Sequence, residues 1–409
     1  MTSQPRVALF GETFHEINGA ALTTRQLVDF AKRHARPFLT VLPGAALSQR
    51  QDGSVTHVEL PRGWASFGIE RDLHYDLFLW RHGGFVRRAL AAFRPDVVHI
   101  FSPGEFGQLG AYLAHSLQIP LVASWHTNLH QFAARRLRKL LACVPADCSE
   151  QCSGWAEKAA LRLILRFYRI ARVTLAPTPE QIRWLRRMTG QPSFLMPRGV
   201  DCQQFHPNRR TVRDGIFRLG YVGRVTPEKN VRLLADIERA LQAAGHRNFS
   251  IMVVGDGSER SWLEHNLSRG VFTGVLRGPL LAEAYANMDL FVFPSHTDTY
   301  GNVVQEAAAS GVPAIVTADG GPHHLVTPGV TGFVAKDDRI FIEMLLQVIG
   351  QPERVRTMGI AAREAMLDVS WDSALEMTYA AYRFCHQASQ ATRLLGTPST
   401  LGGLQTPAF

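Results

Sequence analysis

An α/β fold built as two halves of like design is what the sequence predicts. Three observations carry it: short apolar runs alternate with helix-period stretches, that alternation restarts past residue 200, and 409 residues are too many for one ordinary core. Composition agrees, with 46% hydrophobic and 19% charged residues, 34 Gly and 22 Pro. No apolar run approaches the roughly 20 residues that span a bilayer. The start, "MTSQPRVALFGETF", has no basic-then-apolar leader, so a cytoplasmic chain is expected.

In the first half "RVALFGE" reads as a strand, followed by a loop through Gly19 and a helix from about Thr23. "PFLTVLP", "PDVVHIFSP" and "IPLVASWHTN" read as further strands, and "VTLAPTP" as the last of this half. In the second half "FRLGYVGR", "FSIMVVGDG", "GVFTGVL", "LFVFPS", "PAIVTAD" and "GFVA" are six more, again with helices between. Strands separated by helices pair in parallel, and ligands gather beyond their carboxyl ends. The domain boundary is expected near residues 200–212, where Pro207 and Asn208 interrupt the periodicity. That divides the chain into 1–205 and 206–371, with a helix over about 372–385 returning to the first domain and a disordered tail over 386–409.

Charge is uneven. Residues 1–200 carry 25 Lys and Arg against 14 Asp and Glu, residues 201–409 carry 19 against 21, and the whole chain is +9. Arg162, Arg166, Arg169 and Arg172 fall at helical spacing beside Leu161, Ile164, Leu165 and Phe167. Two readings stay open for that face: a solvated arginine stripe on a helix packed against its own sheet, or a contact with an anionic membrane surface, which would make the protein peripheral on the inner face. No aromatic–basic reader motif points to nucleic acid. Cys143, Cys148 and Cys152 lack the regular spacing and fourth ligand of a metal site, so no metal is expected there.

Chemistry concentrates in "PSHTDTYGNVVQEAAASGVP". After a buried strand comes a loop, then a helix stopped by Gly311 and Pro313. Gly301 permits close approach to the backbone, and the free amides of Asn302 and Val303 would face an anion at the helix start. Asp298 before the helix and Glu306 about one turn inside it reach different parts of a bound molecule. "YVGRVTPEKNV" adds Arg224 and Lys229 just after another strand, a guanidinium fork and a compact ammonium suited to phosphate oxygens. None of the 17 aspartates forms an Asp-x-Asp pair, so these cations and the helix start would do the work of a metal, and no cofactor is expected.

The ordered series "NG" (Asn18–Gly19), "HTN" (His126–Asn128), "RGVD" (Arg198–Asp201), "GRVTPEKN" (Gly223–Asn230), "GDG" (Gly255–Gly257), "FTGVL" (Phe272–Leu276) and "FPSHTDTYGNVVQEAAASGVP" resembles the family 4 retaining glycosyltransferases, over roughly residues 6–385. The resemblance implies a GT-B fold, two facing Rossmann-like domains with a cleft between them, and metal-independent transfer of a sugar from a UDP- or GDP-sugar to a hydroxyl. The "HTN" and "RGVD" forms are closest to enzymes that glycosylate lipids. It further implies that Arg224 and Lys229 hold the donor diphosphate, Glu306 the ribose hydroxyls and Asp298 the sugar hydroxyls. Gly19 would meet the distal phosphate, His126 the sugar near the reacting carbon, and Leu276 the base through its backbone. Tyr300, Gly301, Asn302 and Val303 complete the donor site. Two departures stand out: Asp298 replaces the more usual Glu, and "GGPHH" places His323 and His324 where an acid is common, as loop groups rather than metal ligands. A nucleotide-sugar epimerase and a non-catalytic sugar-nucleotide-binding subunit are the competing functions on this fold.

Overall fold

The computed structural model describes residues 4–14, 16, 19–64, 66–70, 73–126 and 146–395. It resolves into two compact units, one ending at Leu195 and rejoined from Glu376, the other spanning Met196–Leu375.

The first unit holds β1 (Val7–Phe10), β2 (Phe38–Gly44), β3 (Ser48–Asp52), β4 (Val55–Pro61), β5 (Ser66–Glu70), β6 (Leu73–Asp76), β7 (Val97–Ile100), β8 (Leu121–Ser124), β9 (Val173–Ala176) and β10 (Ser193–Leu195). Eight of them form one sheet in the order β10-β9-β8-β7-β1-β2-β4-β3, while β5 and β6 pair by themselves. Every pairing in the large sheet is parallel except β3 with β4. The five expected strands are present, but "VTLAPTP" is not the last, since β10 follows it, and β3 to β6 were not foreseen. The β3–β4 hairpin had a signal: a two-residue Gly53–Ser54 loop between paired runs, with Gly53 at φ 61° where a side chain is strained. The fully buried β1, β7 and β8 carry no alternation because helices cover both faces.

The helices here are α1 (Gly19–Arg33), α2 (Gly83–Phe93), α3 (Glu105–Ser116), α4 (Ala146–Tyr168) and α5 (Pro179–Thr189). The first begins at Gly19, ahead of the expected Thr23. The arginine stripe is shorter than its spacing suggested. Because α4 ends at Tyr168, Arg169 and Arg172 lie beyond it. Arg169, still exposed, donates to the Met188 carbonyl (3.1 Å), and Arg172 donates to the Ala388 carbonyl (2.7 Å) and the Thr392 hydroxyl, so both side chains are tied to their own unit. Within α4 itself, Arg162 and Arg166 are exposed. Leu161, Ile164 and Phe167 pack on the first core, with Leu165 and Tyr168 buried. Cys148 and Cys152 fall within α4; Cys143, Asn18, Thr127 and Asn128 lie outside the described residues.

The second unit has β11 (Phe217–Val222), β12 (Phe249–Val254), β13 (Gly270–Gly274), β14 (Leu290–Phe293), β15 (Ala314–Thr317) and β16 (Gly332–Ala335), all six as expected. They pair in parallel in the order β13-β12-β11-β14-β15-β16. Its helices are α6 (Leu233–Ala243), α7 (Arg260–Asn266), α8 (Gly278–Ala286), α9 (Asn302–Ala309), α10 (Asp338–Ile349) and α11 (Pro352–Met366). The order reverses between β11 and β14, and at such a switch point neighbouring connections leave on opposite faces and open a crevice at the strand ends. The boundary falls at Leu195, earlier than Pro207, because Val200 and Phe205 are already buried in the second core and the Val200 amide donates to the Val369 carbonyl (3.0 Å).

The closing helix α12 (Trp371–Leu395) runs ten residues past the expected end at 385. From Glu376 it belongs to the first unit, where Tyr379, Tyr382 and Cys385 are fully buried. Tyr382 Oη lies 2.7 Å from Nδ1 of His99, whose Nε2 meets the Ser124 hydroxyl, a buried chain that satisfies each group. Burial pulls His99 down to about 3, so the ring is neutral. Arg172, gripping Ala388 and Thr392, holds the extra turns that the sequence left to a tail; residues 396–409 lie outside the described part.

Candidate functional site

Adjacent strand ends in the second unit build the site. Beyond β11 the chain passes Gly223 and Arg224 into a 3-10 turn, Pro227–Lys229. Beyond β14 it passes His296, Asp298 and Gly301 into α9, and beyond β15 it reaches Gly320 and Gly321. Gly301 has φ 95°, and a Cβ there would stand 2.9 Å from Pro322 Cγ. Only glycine combines that conformation with so close a neighbour. The Gly321 amide donates to the Asp298 carbonyl (2.7 Å), laying the β14 and β15 loops together.

Lys229 and Asp298, assigned separate duties from the sequence, are in direct contact. The ammonium lies 2.6 and 2.7 Å from the two carboxylate oxygens, with side chains 13% and 21% exposed. This pair crosses the switch point. A second tie is the Thr297 hydroxyl donating to the Glu228 carbonyl (3.2 Å). A third runs through Asp338, which opens α10. Its two oxygens each accept from Asn230 Nδ2 at 3.0 Å, and it lies 3.2 Å from Nε2 of His296, whose Nδ1 faces Asp319 at 2.8 Å. Asn230 follows Lys229 and takes the left-handed conformation, φ 52°. Asp338 thus braces both loops that carry the central pair. Arg224 stands 3.4 Å from Glu228, and its carbonyl accepts from the Tyr221 hydroxyl (2.7 Å).

The start of α9 presents Asn302 and Val303, whose amides have no partner inside the helix by geometry. The Asn302 side-chain nitrogen is buried with no hydrogen-bond partner among the described residues. These donors and the helix dipole favour an anion. One turn on, Glu306 accepts from the Tyr285 hydroxyl (2.8 Å), and burial pushes its carboxyl up to about 7. A carboxylate so short of donors suits a ligand that brings hydroxyls. Tyr300 is less free than its place in the motif implied. Its hydroxyl is 3.1 Å from Gln305 Nε2 and 3.4 Å from the Arg198 backbone, beside the buried Arg198 guanidinium. It braces "RGVD" from within. Leu276 sits in the β13–α8 loop, half-buried against the second core.

The structure therefore brings together Lys229 and Asp298, and sets Arg224, Gly301, Asn302, Val303 and Glu306 on the same row of strand ends. Sequence reasoning missed Tyr285, Asn230, His296 and Asp338. Asn230 and His296 lay inside the quoted motifs, but nothing local announces that both reach Asp338. His323 is half-buried and His324 exposed, their rings 4.0 Å apart. In the first unit Gly19 is exposed at the start of α1, and His126, just past β8, stacks on Phe101 at 4.2 Å.

Residues 18–204 match the family model for "Glycosyltransferase Family 4" and residues 216–351 that for "Glycosyl transferases group 1". The chain is 30% identical over 379 residues to a GDP-mannose-dependent alpha-mannosyltransferase of Corynebacterium glutamicum, covering 90% of this chain and 86% of that one. It is 32% identical over 384 residues to a protein of the same name in Mycolicibacterium smegmatis, covering 90% and 94%. In fold it is similar to the sucrose-phosphate synthase of Thermosynechococcus elongatus, with TM-score 0.67, 18% identity, and 97% and 100% of the two chains covered.

Proposed function

The chain belongs to the family 4, group 1 glycosyltransferases, and on that premise we propose that it moves a hexosyl group from a nucleoside-diphosphate sugar to a hydroxyl of a lipid or glycan acceptor, with retention and without a metal. GDP-mannose is the donor tested first, because the named relatives above use it and span almost the whole chain. A single observation carries the reading: an ammonium–carboxylate pair bridges the switch point beside a helix start rich in free donors.

In the proposed step the bond between the anomeric carbon and the diphosphate oxygen breaks, and its electron pair leaves with the diphosphate. The acceptor oxygen bonds to the same face of the carbon, and its proton passes to an oxygen of the leaving diphosphate. Charge grows on that group as the bond opens, where Arg224, Lys229 and the α9 amides stabilise it; one such preorganised donor supplies about 100-fold or more. Asp298 holds sugar hydroxyls and Glu306 the ribose. Neither needs to be a nucleophile. Leu276 would meet the base through its backbone, and on the resemblance alone Gly19 and His126 would contribute from the first unit.

An epimerase would need an acid or base placed at a sugar carbon, and the acids here are held by Lys229 and by Tyr285. The test is transfer itself: UDP- and GDP-sugars with lipid extract and glycan acceptors, with and without chelator, scored for product and its anomeric configuration. Lys229→Ala is expected to lower turnover at least ~100-fold. Near-normal turnover misplaces the phosphate site, loss on adding chelator ends metal independence, and an inverted product ends the retaining step. The described residues contain no helix long and apolar enough to cross a membrane. A peripheral position is proposed, to which the exposed Arg162 and Arg166 contribute charge.

A further inference from the structure

The first unit carries a cluster of large apolar side chains turned to solvent. Trp64 is 95% exposed, Leu77 58%, Phe78 56% and Tyr112 54%, with Phe67 and Trp80 also exposed. They sit just before and on the β5–β6 ribbon, in the turn after it and on α3. Rings meet in pairs: Trp64 stacks on Phe78 at 6.3 Å, Phe67 tilts on Tyr75 at 6.0 Å, and Trp80 meets Tyr112 edge-on at 5.2 Å. Single exposed apolar residues need no explanation, but a run of paired aromatics does.

Their display is built. Asp76, at the end of β6, is buried and accepts from the Gly63 amide (2.7 Å), the Phe78 amide (2.9 Å) and Arg81 Nη1 (2.9 Å). Arg81 Nη2 donates onward to the Pro61 carbonyl (2.8 Å). One carboxylate thus fixes the backbone beside Trp64 and at Phe78, the two residues whose exposed rings stack.

Charge says what the face meets. Arg81 beside it and Arg87 and Arg88 on the following helix α2 are exposed, and the sequence over residues 62–94 carries six arginines against three acids, Glu70, Asp72 and the buried Asp76. A second copy of the chain across a two-fold axis would set these arginines against their own images. Aromatic rings ringed by arginine match the boundary layer of an anionic bilayer, where Trp and Tyr lie at headgroup depth and guanidinium groups meet phosphate. We propose that the β5–β6 ribbon and the turn that follows it dock this enzyme on an anionic lipid surface, Trp64, Phe78 and Trp80 entering the headgroup layer and Arg81, Arg87 and Arg88 lying over it. The proposal rests on the lipid-acceptor reading and goes past it, since it names an apolar anchor where arginines alone would give a salt-sensitive contact.

The test is flotation of the full chain with phosphatidylcholine vesicles and with mixed phosphatidylcholine–phosphatidylglycerol vesicles, at low and high salt. Wild type is expected to float with the mixed vesicles and to keep part of its binding at high salt. The triple variant Trp64→Ser, Phe78→Ser, Trp80→Ser should lose at least tenfold of the bound fraction, with its melting temperature and nucleoside-diphosphate affinity unchanged. Should that variant unfold, quenching of wild-type tryptophan by brominated lipid decides, with Trp64→Phe losing part of the quench. Docking fails if wild type stays with the unbound protein, if the triple variant floats as well as wild type, or if wild type sediments as a dimer that the variant splits. Transfer from UDP- and GDP-sugars to detergent-solubilised lipid extract and glycan acceptors, without vesicles, is read in parallel: its absence sinks the transferase reading, while its presence without flotation sinks the ribbon alone.

Discussion

Asp298→Asn should change donor binding and catalysis in opposite directions. In the structure the Lys229 ammonium is held by both Asp298 oxygens at 2.6 and 2.7 Å, and a diphosphate must draw it away before it can be used. Two unit charges at that separation attract by about 6 kcal/mol at an effective dielectric of about 20. Desolvation of this largely buried pair returns most of that, leaving a net of about 1–2 kcal/mol. Asparagine keeps the shape and removes the charge, so Lys229 no longer has to be withdrawn from a partner. Affinity for the free nucleoside diphosphate should rise about tenfold, equivalent to ~1.4 kcal/mol. Transfer should fall by about 10- to 100-fold, because a charged acceptor for sugar hydroxyls is lost, worth about 1.5–3 kcal/mol. Calorimetry with GDP and UDP, beside turnover at saturating donor, separates the two effects. Lys229→Ala, by contrast, should weaken both. If Asp298→Asn weakens nucleoside diphosphate as Lys229→Ala does, the ammonium is not the diphosphate's partner and the argument fails.

Glu306 carries a pH signature. Burial pushes its carboxyl to about 7 from the ordinary 4.5, so the folded state holds a proton the unfolded chain has released, and this group's stabilisation is complete below 4.5 and lost as pH rises through about 7. The loss is about 3 kcal/mol at most. Ribose hydroxyls favour the carboxylate, so nucleoside-diphosphate affinity should climb through the same window, and Tyr285→Phe, which removes the one donor seen, should move that midpoint upward; titration calorimetry across pH checks both. Asn230→Ala should lower the melting temperature by more than Asn230→Gly, since alanine keeps the strain of φ 52°, about 1–2 kcal/mol, while both should raise the donor KM by losing the hold on Asp338. Equal KM for Asn230→Gly and wild type would remove Asp338 from the site. Tyr382→Phe should cost about 1–3 kcal/mol in urea unfolding, because it leaves His99 Nδ1 buried without its partner, with nucleoside-diphosphate affinity unmoved.

The second unit was almost wholly legible, because its strands are short apolar runs, most of them closed by glycine or proline, and most of its crossovers are helices. The first was legible where it repeats that grammar, at β1, β2, β7, β8 and β9, and not where it departs from it. The β5–β6 ribbon is polar, aromatic and unpaired with the large sheet, so no period marks it. The last turns of α12 look like a low-complexity tail, and only Arg172, more than 200 residues upstream in the chain, shows why they are helical. The family resemblance supplied Lys229 and Asp298 as separate groups; their contact was invisible because it depends on β11 and β14 being neighbours. That adjacency is topology, and a strand order cannot be read from strands taken singly.

The same adjacency explains how opposite charges can serve one ligand. Alone, Asp298 would repel a diphosphate, and alone Lys229 would attract any anion. Joined across the switch point they cancel, so a lone anion gains little by entering, since it must break the pair and leave Asp298 facing it. A molecule that brings anionic oxygens and, a few ångströms away, a cluster of hydroxyls satisfies both halves at once: the phosphate takes the ammonium and the hydroxyls take the carboxylate. The loops need not drift apart when that happens, because Asp338 still holds Asn230 on one side and His296 on the other. On the proposed function a nucleoside-diphosphate sugar would be favoured over free phosphate by the cost of opening the pair, a discrimination built from one lysine, one aspartate and a third carboxylate that touches neither.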